Sequence, residues 1–146
     1  MNKEKENACS AREGEDRRYI GDIGEAYAAE CLRKRGFRIL EREFVCRHGE
    51  IDLIVMKQSR IHFVEVKTAD AGSPFYPESH LTQNKMSRYL FMAEDYKQTL
   101  HSKFGVDPDS FEYFFDLFAV LVNKKERLIT DGKLYIGAFD SAEYEN

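Results

Sequence analysis

The sequence predicts a single α/β domain in which a central mixed β-sheet is flanked by helices. Three observations lead there. The periodic segments run in the order helix, three strands, helix, then two or three strands. The chain has 146 residues, enough for one hydrophobic core and not comfortably for two. An apolar-faced helix and an apolar strand run each need a partner layer, and helices packed on a sheet supply both. Residues 17–140 are assigned to this domain, between a flexible N-terminal tail at 1–16 and a short tail at 141–146.

The first sixteen residues, MNKEKENACSAREGED, are polar, charged and aperiodic, hence the tail. The first helix is RRYIGDIGEAYAAECLRKRG. Ile20, Ile23, Gly24, Tyr27, Ala28, Cys31 and Leu32 follow the i, i+3, i+4 spacing of one buried face. Arg33, Lys34 and Arg35 suit the negative end of the helix dipole, and Gly36 stops it. Glu25 lies at the flank of the apolar face rather than opposite it.

FRILEREFVC alternates as a strand and ends in a turn near His48-Gly49. EIDLIVM and IHFVEVK are the next two strands, joined by a polar turn at Lys57 to Arg60. Gly72, Pro74 and Pro77 make Ala71 to Glu78 a loop. A long helix spans about Ser79 to Phe104, with Met86, Tyr89, Leu90, Ala93, Tyr96 and Leu100 inward. FEYFFDLFAVLV is a strongly apolar strand; ERLIT and KLYIGAF offer the last ones.

Two of these strands carry charge where aliphatic residues would be stabilising, and burying an unpaired charge costs several kcal/mol or more. Strand side chains alternate between faces. Glu50, Asp52, Ile54 and Met56 therefore share one face, and Ile61, Phe63, Glu65 and Lys67 share one face of the next strand. Paired as a hairpin, the strands bring Asp52 and Glu65 together at the end distant from the turn, with Lys67 just beyond. Neighbouring carboxylates disfavour each other's ionisation, and a divalent cation removes the conflict. Mg²⁺ prefers one or two carboxylates, waters and phosphate oxygens. Two acids with an ammonium alongside thus match metal-assisted phosphodiester hydrolysis, with Mg²⁺ or Mn²⁺ as cofactor. The bland alternative, solvent-facing charges on a half-exposed sheet, stays open from these residues alone.

The segments IGDIGEAYAAECLRKRGFRIL, HGEIDLIV, HFVEVKT, KMSRYLFMAEDY, FFDLFAV and LYIGAFD cover most of the chain from Gly21 to Phe139. On these segments the chain resembles the small bacterial YraN-type (UPF0102) family and, more distantly, the PD-(D/E)xK nuclease superfamily, which includes archaeal Holliday-junction resolvases. The resemblance implies a restriction-endonuclease-like core. It implies Asp52 and Glu65 as metal carboxylates, the Val66 carbonyl as a third ligand, and Lys67 as the water-positioning or charge-stabilising group. Glu25 would approach the same site, and Lys85 and Arg88 would face substrate phosphates. Two cations that similar sequences carry are absent: Ala69 stands two residues after Lys67, and the late strand opens Phe114-Phe115-Asp116.

The remaining features bound the partners. A net charge of −4 and a pI near 5.6 count against non-specific coating of nucleic acid. Arg33, Lys34, Arg35, Arg38, Arg42, Arg47 and His48 nonetheless form a locally basic stretch, from which Arg47 is the expected DNA contact. Glu50 is expected to pair with Arg47, and Asp116 to end a helix or pair with Arg88. Phe75 and Tyr76 are set to stack on a base, cap the site or join the core. Cys9, Cys31 and Cys46 are odd in number and scattered, against a disulfide framework. Cys46-x-His48 offers two zinc ligands without a second pair at suitable spacing. His62, His80 and His101 have no nucleophile at triad spacing. With no ~20-residue apolar run and no signal-like N-terminus, cytoplasmic residence without a membrane partner is the expectation. The functional expectation is a DNA endonuclease acting on branched or structured forms. A catalytically silent binding module and a protein-interaction scaffold remain alternatives, and the oligomeric state, homodimer included, stays open.

Overall fold

The computed structural model describes residues 2–80 and 82–137. Helix α1 (Asn2–Lys34) leads into strands β1 (Arg38–Cys46), β2 (Gly49–Lys57) and β3 (Arg60–Asp70). A 3₁₀ turn (Pro77–His80), helix α2 (Gln83–Phe104) and a second 3₁₀ turn (Pro108–Ser110) precede β4 (Glu112–Asn123) and β5 (Leu128–Tyr135). The strands form one mixed sheet in the order β1-β2-β3-β4-β5, antiparallel throughout except for the parallel β3–β4 pair. That parallel pair needs a long crossover, which α2 provides. This is the layout of a restriction-endonuclease-like core.

The two faces of the sheet bury two separate clusters. Ile20, Ala28, Ala29 and Leu32 of α1 pack with Leu53, Val55, Val64, Phe118, Val120 and Val122. Met86, Tyr89, Met92, Ala93, Tyr96 and Leu100 of α2 pack with Ile54, Ile61, Phe63, Phe115 and Leu117 on the other face. Alternation along β2, β3 and β4 thus feeds both layers, which explains why those strands read as nearly continuous apolar runs. Close approach sets Gly132: a Cβ there would lie 2.7 Å from Tyr27 and 2.8 Å from Phe118.

Four details depart from the sequence reading. Helical backbone reaches back to Asn2, through the segment read as a tail; Lys, Glu, Ala and Arg are strong helix formers, so no apolar face is required. Helix α2 begins at Gln83, where the Thr82 side chain caps the Lys85 N–H. Met92 replaces Leu90 on its buried side, Leu90 lying at the rim. The last two strand candidates form the single strand β5, and Ala138 and Phe139 lie outside the described residues. Cys31 and Cys46 are free thiols, and no described helix is long and apolar enough to cross a membrane.

Candidate metal centre

The site arises where the sheet forks. From the Lys57–Arg60 turn, β2 and β3 pair in register as far as Leu53↔Val64. Continued, that register would oppose Asp52 to Glu65 and Ile51 to Val66. Instead the pairing ends, and the Val66 N–H donates to Asp52 Oδ2 at 2.8 Å. A carboxylate thus takes a backbone donor that a strand would otherwise satisfy. Meanwhile β2 stays paired to β1 through Gly49, and β3 to β4 through Asp70.

Asp52 and Glu65 line one small cavity of ≈ 10 Å³ together with Ile51, Phe63, Tyr89 and Phe115, about the space of one water-sized particle. Burial pushes the Asp52 carboxyl up; the Val66 N–H opposes this, while the charges of Glu65 and Glu50 add to it. Glu65 Oε1 meets Lys85 Nζ at 2.6 Å and Lys67 Nζ at 3.5 Å. Its other oxygen, Oε2, is buried and has no hydrogen-bond partner of good geometry among the described residues. Burial, then the Glu65 charge and a contact with that carboxylate, hold the Tyr89 phenol well above its usual range.

Glu25 approaches from α1. Its carboxyl is pushed up to about 8, by burial first, then by Asp52, by a hydrogen bond with Glu43 and by the charges of Glu43 and Glu50. Glu43 escaped the sequence reading. It sits in β1 with φ 52, a left-handed conformation uncommon outside glycine, and nothing in the strand pattern signals such a kink. His80 was also missed as a neighbour: burial, then the charges of Lys67 and Lys85, hold its imidazole down.

The predicted residues therefore separate into two groups. Asp52, Glu65 and Lys67 converge, and the Val66 backbone belongs to the same fork; Glu25 lies in a neighbouring pocket with Asp22, Arg42, Glu43 and Leu53, near enough for the Asp52 charge to reach it. Lys85 joins them, but as the ion-pair partner of Glu65 with a mostly buried side chain. Arg88 is exposed on α2, near enough for its charge to reach Tyr89, and Arg47 is exposed on the β1–β2 turn. Glu50 forms no ion pair with Arg47 among the described residues; it is exposed and its charge acts on Asp52 and Glu25. Asp116 neither ends a helix nor meets Arg88. Buried in β4, it faces His62 Nδ1 at 2.6 Å and accepts the Gly137 N–H at 2.9 Å, a pairing across parallel strands that single-strand periodicity cannot reveal. Phe75 is half-buried against the α2-side core and stacks on His80, whereas Tyr76 is exposed.

Two carboxylates lining one cavity, with a buried Glu65 oxygen that has no partner of good geometry among the described residues, are donors that fit a hard divalent cation, with Lys85 and Lys67 on the other Glu65 oxygen.

Comparison with known proteins adds family context. The profile of the family described as "Uncharacterised protein family UPF0102" matches residues 24–120. A UPF0102 protein of Caldanaerobacter subterraneus subsp. tengcongensis is 30% identical over 124 residues, covering 85% of this chain and 97% of that relative. One from Caldicellulosiruptor saccharolyticus is 34% identical over 114 residues, covering 78% and 92%. One from Syntrophomonas wolfei is 38% identical over 105 residues, covering 72% and 86%.

Proposed function

The chain belongs to the UPF0102 family, and from that membership and the forked acidic site we propose a divalent-metal-dependent endonuclease of the PD-(D/E)xK kind, acting on DNA. The observation that carries this reading is the buried Glu65 Oε2 beside Asp52, which has no hydrogen-bond partner of good geometry among the described residues although the Tyr89 hydroxyl approaches its carboxylate. A polar atom left without a partner in a dry site costs about 1–3 kcal/mol, a cost that a bound cation would remove.

Asp52 and Glu65 would hold Mg²⁺ or Mn²⁺, with the Val66 carbonyl as third donor. Such an ion polarises a phosphoryl oxygen and lowers the pKa of a coordinated water. The chain's own groups do the rest. The Val66 N–H fixes Asp52. Lys67, 39% exposed, can swing from Glu65 to an incoming phosphate and stabilise charge developing on phosphorus. Lys85 holds Glu65 in place until substrate offers it a phosphate oxygen. Glu25, with its carboxyl near 8, keeps a proton at neutral pH and can deliver it at the rim of the site. Exposed Arg88 and Arg47 would meet the flanking backbone. Branched or structured DNA is the preferred substrate class.

The test is cleavage of linear, flapped and four-way DNA in Mg²⁺ or Mn²⁺ by wild type, Asp52→Asn and Glu65→Gln. Cleavage by wild type that both variants lose, with circular dichroism unchanged, is the expected result. Equal cleavage by all three overturns the assignment. A second reading, a binding module without turnover, is favoured by the Lys85–Glu65 pair and by the two missing cations. It predicts retained gel shifts with no nicking in either metal.

A further inference from the structure

The β1–β2 turn carries a second cluster that phosphodiester chemistry does not use. Cys46 closes β1, His48 sits in the turn, and Asp95 faces both from α2. One ligating atom from each residue lies within 4.8 Å of the others. The sequence offers the first two as a Cys-x-His pair; the third comes from a helix 47 residues beyond His48, which explains why spacing alone leaves the set incomplete.

Several features of the cluster suit a metal better than a plain hydrogen-bonded trio. His48 Nδ1 stands 3.3 Å from Asp95 Oδ2. In a tetrahedral site with bonds of ~2.0–2.3 Å, neighbouring donors lie about 3.3–3.7 Å apart. One edge of the tetrahedron is therefore formed, and the others need side-chain movement of on the order of 1 Å. Burial first, and the Asp95 carboxyl, push the Cys46 thiol up, against the pull of the backbone N–H groups of His48 and Gly49 that face its sulfur, so the thiolate forms only as a metal displaces the proton. Gly49 allows this turn, with φ 139. The His48 ring stacks on Phe91 at 4.8 Å and 15°, which fixes its plane while Nδ1 faces Asp95. The side chains of His48 and Asp95 are 27% and 33% exposed, so the cluster is open to water on one side.

We propose that Cys46, His48 and Asp95 form a three-ligand zinc site with an open fourth position, built from residues other than those of the Asp52–Glu65 centre. Sulfur, imidazole nitrogen and carboxylate oxygen are the donors that Zn²⁺ takes, and a thiolate plus a carboxylate balance its charge. Mg²⁺, which seeks oxygen alone, has little affinity for such a set. Three protein ligands and a water make the arrangement of zinc sites that bind or activate a fourth ligand, rather than the closed arrangement of structural zinc.

The experiment is a Co²⁺ titration of the full chain carrying Cys9→Ser and Cys31→Ser, with excess Mg²⁺ present to occupy oxygen sites. One equivalent should produce a thiolate-to-cobalt charge-transfer band and visible bands of tetrahedral intensity, both abolished by Zn²⁺. Adding Cys46→Ser should remove the charge-transfer band. His48→Gln and Asp95→Asn should each weaken Co²⁺ binding by more than the about 10–100-fold that loss of an outer partner costs. Asp52→Asn and Glu65→Gln should leave the band in place, so the test is independent of nuclease activity. Absence of a charge-transfer band, its survival in Cys46→Ser, or undiminished affinity in both His48→Gln and Asp95→Asn overturns the proposal; circular dichroism of each variant excludes misfolding as the cause of a loss.

Discussion

Replacing Glu25 by Gln should stabilise the metal-free protein in alkaline solution and leave it nearly unchanged in acid. In the unfolded chain this carboxyl loses its proton near the ordinary 4.5; in the fold it keeps the proton up to about 8, because burial and then Asp52 oppose its charge. Folding therefore takes up a proton between those values. The group's contribution to stability is fully present below about 4.5 and is lost as the pH rises through 8. At about 1.4 kcal/mol for each pKa unit, an unscreened carboxyl so displaced would lose roughly 5 kcal/mol across that window. The side chain is only half-buried and solvent screens it, so ~1–2 kcal/mol is the expected size. Gln keeps a donor for Glu43 and carries no charge to lose. Urea unfolding with chelator present should show the variant ahead of wild type by that amount at about pH 9 and level with it at about pH 5. A variant less stable at the higher pH, or one offset equally at both, would mean that the acids around the fork do not repel one another.

Two further variants break buried polar pairs. Lys85→Met removes the amine that competes with a cation for Glu65, so Mn²⁺ affinity measured by calorimetry should rise about fivefold or more; unchanged or weaker binding contradicts a shared carboxylate. The same variant should lower metal-free stability by about 3 kcal/mol, the lower end of the cost of breaking a buried pair, since Lys67 remains 3.5 Å from Glu65. Asp116→Ala strips both the His62 contact and the acceptor of the Gly137 N–H, and its side chain is almost fully enclosed. With two buried partners left unsatisfied, a loss of roughly 2–5 kcal/mol is expected in denaturant unfolding; a loss below about 1 kcal/mol would show the contacts to be dispensable.

Within-element patterns were legible in the sequence, and contacts between elements mostly were not. Period-two alternation placed Asp52, Glu65 and Lys67 on one face, because two strands joined by a tight turn have their register set locally. The helical spacing around Glu25 put it at the flank of a buried face, within reach of the Asp52 charge. Nothing local relates α2 to the sheet, so the Lys85–Glu65 pair and the position of Asp95 beside Cys46 had no signature in spacing. The His62–Asp116 contact depends on a parallel register set by the α2 crossover, again a property of tertiary packing. Glu43 was hidden for another reason: a left-handed residue within a strand breaks the alternation that the reading relies on.

The fork itself follows from the charges it holds. An uninterrupted hairpin would place Asp52 directly opposite Glu65, with Cβ atoms about 4.5–5.5 Å apart, and like charges in that position destabilise a sheet. Opening the ladder after Leu53 costs backbone pairing, but the Val66 N–H is recovered by Asp52 itself and Glu65 gains two amines. Among the described residues, Glu65 Oε2 is left without a hydrogen-bond partner of good geometry. Aliphatic residues at 52 and 65 would let β2 and β3 zip fully, so acids at both positions are a net cost to the fold. Under the proposed reading, a bound cation would offset that cost where the two strands separate, at the Glu65 oxygen the two amines leave open.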